Sequence, residues 1–174
     1  MHADDARYEE ALPEEAPEMI TITSEPIDTE SLRDSLLDPG AGGYSAFEGW
    51  VRNENEGHEV LRLEYEVYEP LAISEGERIL VEASQRYPHL KARCVHRSGL
   101  LEIGECAVWV GVAAPHRDEA FKACRYIIDE LKVRLPIWKK EHYTNGDSGW
   151  VNCERCKAHG ERDAVSHTRR AGSG

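Results

Sequence analysis

The run Leu131-Lys132-Val133-Arg134-Leu135-Pro136-Ile137-Trp138-Lys139-Lys140-Glu141 gathers lysines and apolar side chains around one proline. Proline lacks the backbone donor and collides with the preceding helical turn, so Lys132 and the Lys139-Lys140 pair cannot lie along one continuous helix face. A turn at Pro136 can instead bring them to one pocket. A lysine held against apolar side chains loses solvation, which lowers its pKa and offers a neutral amine as nucleophile or base. The same run also suits a helix C-terminus with cations on its dipole and Trp138 tucked into the core. Two more basic stations are Arg52, at the end of a strand-like stretch, and His116-Arg117, at a strand-to-helix junction. Guanidinium forks and helix N-termini both favour phosphate oxygens, so a phosphorylated ligand fits, although each station taken singly also reads as solvated surface charge.

These stations must be positioned by the elements around them, and the spacing creates a conflict. Arg117 and Lys132 fall near opposite ends of one expected helix, and a rise of about 1.5 Å per residue separates their backbones by roughly 22 Å. One subunit can hardly bring both to a small ligand. Either they serve different sites, or a symmetric dimer completes the pocket, with His116 and Arg117 of one copy facing Lys132 and Lys139 of the other.

Hydrophobic periodicity supplies those elements. Residues 19–23 read as a short strand, and a helix follows from Thr29 to before Pro39-Gly40. Gly40-Ala41-Gly42-Gly43 lacks the Gly-Lys-Ser/Thr ending of a phosphate loop and reads as a turn. A strand over 44–52 delivers Arg52. Residues 60–68 alternate with period two, placing Leu61, Leu63, Tyr65 and Val67 on one face. An amphipathic helix after Pro70 carries Leu71, Ile73, Ile79, Leu80 and Ala83 and ends near Tyr87-Pro88. Strands over 92–96 and 106–114 precede a helix whose core face carries Phe121, Cys124, Ile128, Leu131 and Leu135. The interleaving without a strict βαβ repeat predicts an α+β fold.

Composition narrows the partners. The 174 residues hold 21 Lys+Arg against 33 Asp+Glu, a net charge of -12, which argues against generic nucleic-acid or anionic-membrane binding and for a small anionic ligand in a local basic pocket. No apolar run reaches bilayer length, and Met1-His2-Ala3-Asp4-Asp5 lacks the features of a signal peptide, so a cytoplasmic protein is expected. Five cysteines form an odd set that does not suggest a disulfide framework; Cys94, Cys106 and Cys124 read as small buried residues. Residues 1–18, acidic and rich in Pro and Ala, read as a disordered tail; 19–151 as the folded domain; and 152–174 as a flexible tail. Cys153, Cys156 and His159, with His167 as a fourth candidate, have half of a zinc-site spacing, too little to assign a metal.

Together, Gly49-Trp50-Val51-Arg52-Asn53, Glu64-Tyr65-Glu66-Val67-Tyr68, Pro115-His116-Arg117, the run from Asp129 through Glu141, and Gly149-Trp150-Val151 resemble the large, catalytic subunit of the molybdopterin synthase family. The resemblance covers about residues 19–151 in the family's order and spacing. It implies an α/β-hammerhead fold with mixed and antiparallel sheet and packed helices. It also implies a homodimer of large subunits within a heterotetramer that includes two small ubiquitin-like subunits. Each small subunit carries sulfur as a thiocarboxylate on a C-terminal Gly-Gly tail, and the reaction turns cyclic pyranopterin monophosphate into the molybdopterin dithiolene. By motif, Lys132 and Lys139 fall on the family's catalytic lysines, and Trp50, Val51, Arg52, His116, Arg117 and Lys139-Lys140-Glu141 on its substrate-binding positions; no metal or cofactor is implied. The alternatives are a non-catalytic scaffold of the same fold with a metal- or partner-binding Cys-x-x-Cys tail, and a cyclic-phosphate hydrolase. The lysine pair counts against the first, and the lack of a convincing carboxylate cluster against the second.

Overall fold

Nine consecutive residues without a charge, Cys106–Ala114, form an inner strand of a four-stranded sheet. The computed structural model describes residues 19–146 and 148–152. In chain order the elements are β1 (Ile20–Thr23), α1 (Thr29–Asp34), β2 (Gly43–Trp50), β3 (Glu54–Asn55), β4 (His58–Val67), α2 (Glu69–Arg86), β5 (Lys91–Arg97), β6 (Gly99–Glu102), β7 (Cys106–Ala114), α3 (Arg117–Arg134), β8 (Ile137–Tyr143) and β9 (Ser148–Asn152). The tail expected over 1–18, and that over 152–174 beyond its first residue with Cys153, Cys156, His159 and His167, lie outside the described residues.

Strand β7 runs between β5 and β2, and both of its faces are covered. The sheet order is β1-β5-β7-β2, with β1 parallel to β5 and the other pairs antiparallel. Helices α2 and α3 cover one face, where Ile79, Leu80, Ala83, Ile127, Ile128 and Leu131 pack on Cys94, Val108, Val110 and Val112. On the other face Leu36, just after α1, joins Trp109 and Ala113. The second sheet is antiparallel, ordered β3-β4-β8-β9, with β6 on the edge of β4 opposite β8. This is the α+β, hammerhead-like arrangement of mixed and antiparallel sheet with packed helices. Among the described residues no helix is long and apolar enough to cross a membrane.

Local signals set the element ends. Asp28 caps α1 by accepting from the Ser31 amide at 3.1 Å, and Pro70 sits in the first turn of α2. Helix α3 stops where Leu135 turns extended ahead of Pro136, and the chain re-enters as β8 beside β4. Arg134, in the last turn of α3, reaches Glu82 at 2.6 Å and Glu75 at 3.2 Å, locking α3 to α2.

Four expected core positions are on the surface. Leu61 is 52% exposed because β4 carries an irregularity between Val60 and Arg62, which buries Val60 and restores the alternation only from Leu63 onward. Leu71 and Ile73 yield the inner face of α2 to Ala72, Gly76, Ile79, Leu80 and Ala83, where small residues allow close approach. Phe121, 62% exposed, is displaced by Ala120, Ala123 and Cys124 on the inner face of α3. Trp138 is half-buried on the outer face of β8 and is not in the core, because Ile137 takes the inward position.

Gly111 lets the Trp109 side chain lie along the sheet: a Cβ there would stand 2.2 Å from the indole Cη2. Gly111→Ala is expected to lower stability by about 1–3 kcal/mol in urea unfolding, the usual cost of overpacking a fixed core; an unchanged midpoint would show that Trp109 can move.

Candidate active site

Chain reversal at Pro136 has a direct chemical result. Strand β8 lies against β4 with Lys139 opposite Tyr65 and Glu141 opposite Leu63. Alternation then turns Ile137, Lys139 and Glu141 inward, facing the last turns of α3. A cavity of about 340 Å³ occupies this corner, lined by Ile128, Leu131, Lys132 and Leu135 from α3, by Ile137, Lys139 and Glu141 from β8, by Leu63 and Tyr65 from β4, and by His96 from β5. Its rim is completed by Gly49, Trp50, Val51, Arg52, Glu54 and Asn55. The register shift between Gly49 and Trp50 explains how successive residues of one strand end reach the same rim.

Six of the nine expected site residues therefore come together: Trp50, Val51, Arg52, Lys132, Lys139 and Glu141. Val51 is buried in a small cluster with Leu63, Leu101 and Ala107 and serves as floor. Trp50 is largely exposed and its indole Nε1 donates to Glu48 at 2.9 Å, which lays the ring along its own strand. Three residues are elsewhere. Lys140 has the opposite strand parity and places its ammonium 5.5 Å from the Trp150 ring centre. His116 and Arg117 stand at the start of α3, beside Gly43 at the far end of β2. The separation inferred from helix rise thus holds, and the cavity of a single chain does not contain them.

Lys139 and Glu141 form the best-ordered charge in the cavity. The Lys139 ammonium donates to Glu141 Oε1 at 3.1 Å, with their side chains 21% and 12% exposed. Glu141 Oε2 accepts from Asn55 Nδ2 at 2.8 Å and from the Tyr143 hydroxyl. Burial works to raise the Glu141 pKa, but the Tyr143 hydroxyl, Lys139 and Asn55 together outweigh it and hold the carboxyl below its ordinary value. Both its oxygens accept hydrogen bonds, and through Oε1 the carboxylate orients Lys139. Arg52 approaches Asn55 Oδ1 only at 3.5 Å, leaving its guanidinium fork largely uncommitted. Lys132 is exposed, its ammonium 5.9 Å from the Phe47 ring centre, so the desolvation expected from its apolar neighbours is not supplied within one chain.

The sequence reading passed over His96, Asn55 and Tyr143. His96 is two residues past buried Cys94 on β5, so strand parity carries it to the same inner face. The described cysteines are free, and none lines the cavity. Burial pushes the Cys94 thiol up to about 12 and the Cys106 thiol up to about 11, so both remain protonated at neutral pH.

The sequence profile of the MoaE protein family matches residues 22–134. The chain belongs to the MoaE family. Curated relatives agree: the molybdopterin synthase catalytic subunit of Synechococcus elongatus is 41% identical over 86% of this chain and 92% of its own length. That of Pyrococcus abyssi is 47% identical over 66% of this chain and 76% of its own. Among solved structures, molybdopterin synthase from Staphylococcus aureus superposes with a TM-score of 0.72 at 37% identity, covering 75% of this chain and 94% of that one. A complex of subunits 1 and 2 of molybdopterin-converting factor from Helicobacter pylori, at 21% identity and a TM-score of 0.63, shares the MoaE fold. The relatives' names identify an enzyme of molybdenum cofactor biosynthesis.

Because the folded pKa of Glu141 lies below its ordinary 4.5, its contribution to stability is present above that pH and is lost as pH falls through the folded value. Glu141→Gln is expected to cost about 1–2 kcal/mol at pH 7 in urea unfolding, with the gap from wild type closing below about pH 4. A gap that stays constant to pH 3 would contradict the ion-pair account.

Proposed function

We propose that this chain is the catalytic subunit of a molybdopterin synthase. It transfers sulfur from the thiocarboxylated C-terminal Gly-Gly tail of a small ubiquitin-like subunit to cyclic pyranopterin monophosphate, forming the molybdopterin dithiolene in the cytoplasm. The observation that carries the reading is the convergence of Arg52, Lys132 and Lys139 on one partly apolar cavity in a protein of net charge -12. A thiocarboxylate and a cyclic phosphate are both anions, and fixed cations stabilise the charge that develops as sulfur adds and the phosphate ring opens. Burial holds the Cys94, Cys106 and Cys124 thiols above their ordinary pKa, which makes them poor sulfur carriers and supports a sulfur donor other than these three. A relative named as a catalytic subunit also implies a second, non-catalytic one.

In this reading Lys132, on the open side of the cavity, meets the thiocarboxylate and moves the proton. Lys139, fixed by Glu141, acts as a placed cation, and Arg52 offers its fork to the substrate. Trp50 and Val51 form rim and floor, and Lys140 supports the outer face of β8 through Trp150. His116 and Arg117 grip the phosphate from the second copy of a homodimer. A shared pocket is supported by their position at the far end of α3, which keeps them from the cavity of their own chain.

Incubated with thiocarboxylated small subunit and cyclic pterin, the protein should yield dithiolene product, and Lys132→Ala should reduce the rate at least about 100-fold. Undiminished product from Lys132→Ala would remove the mechanism. Coexpression of Lys132→Ala with Arg117→Ala tests the shared pocket separately. With random pairing half the dimers are mixed and one of their two pockets is intact, so about a quarter of wild-type activity should return; no recovery would place both residues in separate sites.

A further inference from the structure

The cavity holds one titratable side chain that the cationic scheme leaves unused. His96 lies on β5 opposite Val108 of β7, and its ring meets Tyr65 of β4 edge-on, with centroids 5.0 Å apart. Its Nδ1 stands 2.7 Å from the carbonyl oxygen of Arg97. A carbonyl only accepts, so Nδ1 carries the hydrogen and Nε2 carries the lone pair of a neutral ring. Loss of solvent around the ring, aided by the nearby Lys132 charge and only partly opposed by the Arg97 carbonyl, pushes its pKa down to about 4. At neutral pH the ring is thus an acceptor, not another cation, in a cavity already supplied with cations by Lys132, Lys139 and Arg52.

Few acceptors face the inner wall. Glu141 has both oxygens engaged, Asn55 Oδ1 is turned toward Arg52, and the Glu54 carboxylate stands on the exposed rim. Around His96 the wall is apolar, formed by Val108, Ile128 and Leu131, which suits the faces of a flat heterocycle. A pterin carries its negative charge on the phosphate and presents N–H donors at the edge of its rings. Phosphate oxygens would find only donors at the cations, and ring N–H groups need an acceptor.

Resting on the function proposed above, we propose that His96 Nε2 accepts a hydrogen bond from an N–H group of the pterin, so that His96 reads the heterocycle while Arg52, Lys132 and Lys139 hold the anionic groups. The role is in binding and orientation: no proton moves and no covalent bond changes at His96. The Arg97 carbonyl fixes the tautomer, and Tyr65 fixes the plane of the ring.

Titration of the intact protein with the cyclic pterin tests this. His96→Phe keeps the ring's bulk but removes the acceptor, and its Kd should rise about tenfold or more, the effect of one lost buried hydrogen bond. His96→Gln, which retains an acceptor and a donor, should recover most of that loss. In assays that vary the pterin concentration, KM should carry the change while kcat stays within about threefold. Wild-type affinity in His96→Phe, or His96→Gln binding as poorly as His96→Phe, would overturn the proposal. Nitrogen NMR of histidine-labelled wild-type protein decides the question without a variant, should the phenylalanine chain fail to fold. Nε2 should be unprotonated in the free protein and shift when pterin binds; a protonated Nε2, or a resonance indifferent to pterin, would refute the assignment. Dithiolene formation by wild type is read independently, so its absence would sink the proposed function and not be mistaken for a failure at His96.

Discussion

Antiparallel pairing of β8 with β4 creates the cavity, and its register decides which charges the cavity contains. With Lys139 opposite Tyr65, every second residue of β8 from Ile137 to Glu141 faces the end of α3. A slip of one residue would turn Trp138 and Lys140 inward and send Lys139 and Glu141 to the outer face. The register is held by buried Ile137 at one end and by the Glu141 carboxylate at the other, where Asn55, Lys139 and Tyr143 converge. Pro136 makes the arrangement possible by ending α3 while Lys132 is still in its last turn.

Placing cations together is costly, and the chain meets that cost unevenly. Lys139 is the more enclosed of the two lysines and has a carboxylate partner; Lys132 remains in water beside the Phe47 ring. One lysine is therefore fixed in position and the other can move. This division suits a site that must hold a small anion while admitting a second anion on a protein tail. His96 stays neutral among them, so the apolar inner wall gains polarity without further positive charge.

Much of this was legible in the sequence because the strongest signals are local. Pro136 ends the helix before it, the uncharged, valine-rich run 106–114 reads as a strand, and helix rise alone separates Arg117 from Lys132. What escaped depends on partners distant in the chain. The irregularity at Leu61 follows from how β4 meets β8, and small residues displace Phe121 because α3 must approach the sheet closely. Lys140 is chemically equivalent to Lys139 in the sequence, and only strand parity separates their fates. His96 looked like an ordinary strand residue until the strand was placed against α3.

The central claim is that an anionic pterin is held where the α3 terminus meets β8, by cations drawn from two copies of an acidic chain. A crystal structure of the protein with bound cyclic pterin monophosphate tests this most directly. The account predicts pterin density between Lys132, Lys139 and Arg52, with the phosphate against His116 and Arg117 of the second copy. Pterin bound elsewhere, with Lys132 and Lys139 in open solvent and remote from every copy's Arg52, His116 and Arg117, would contradict it.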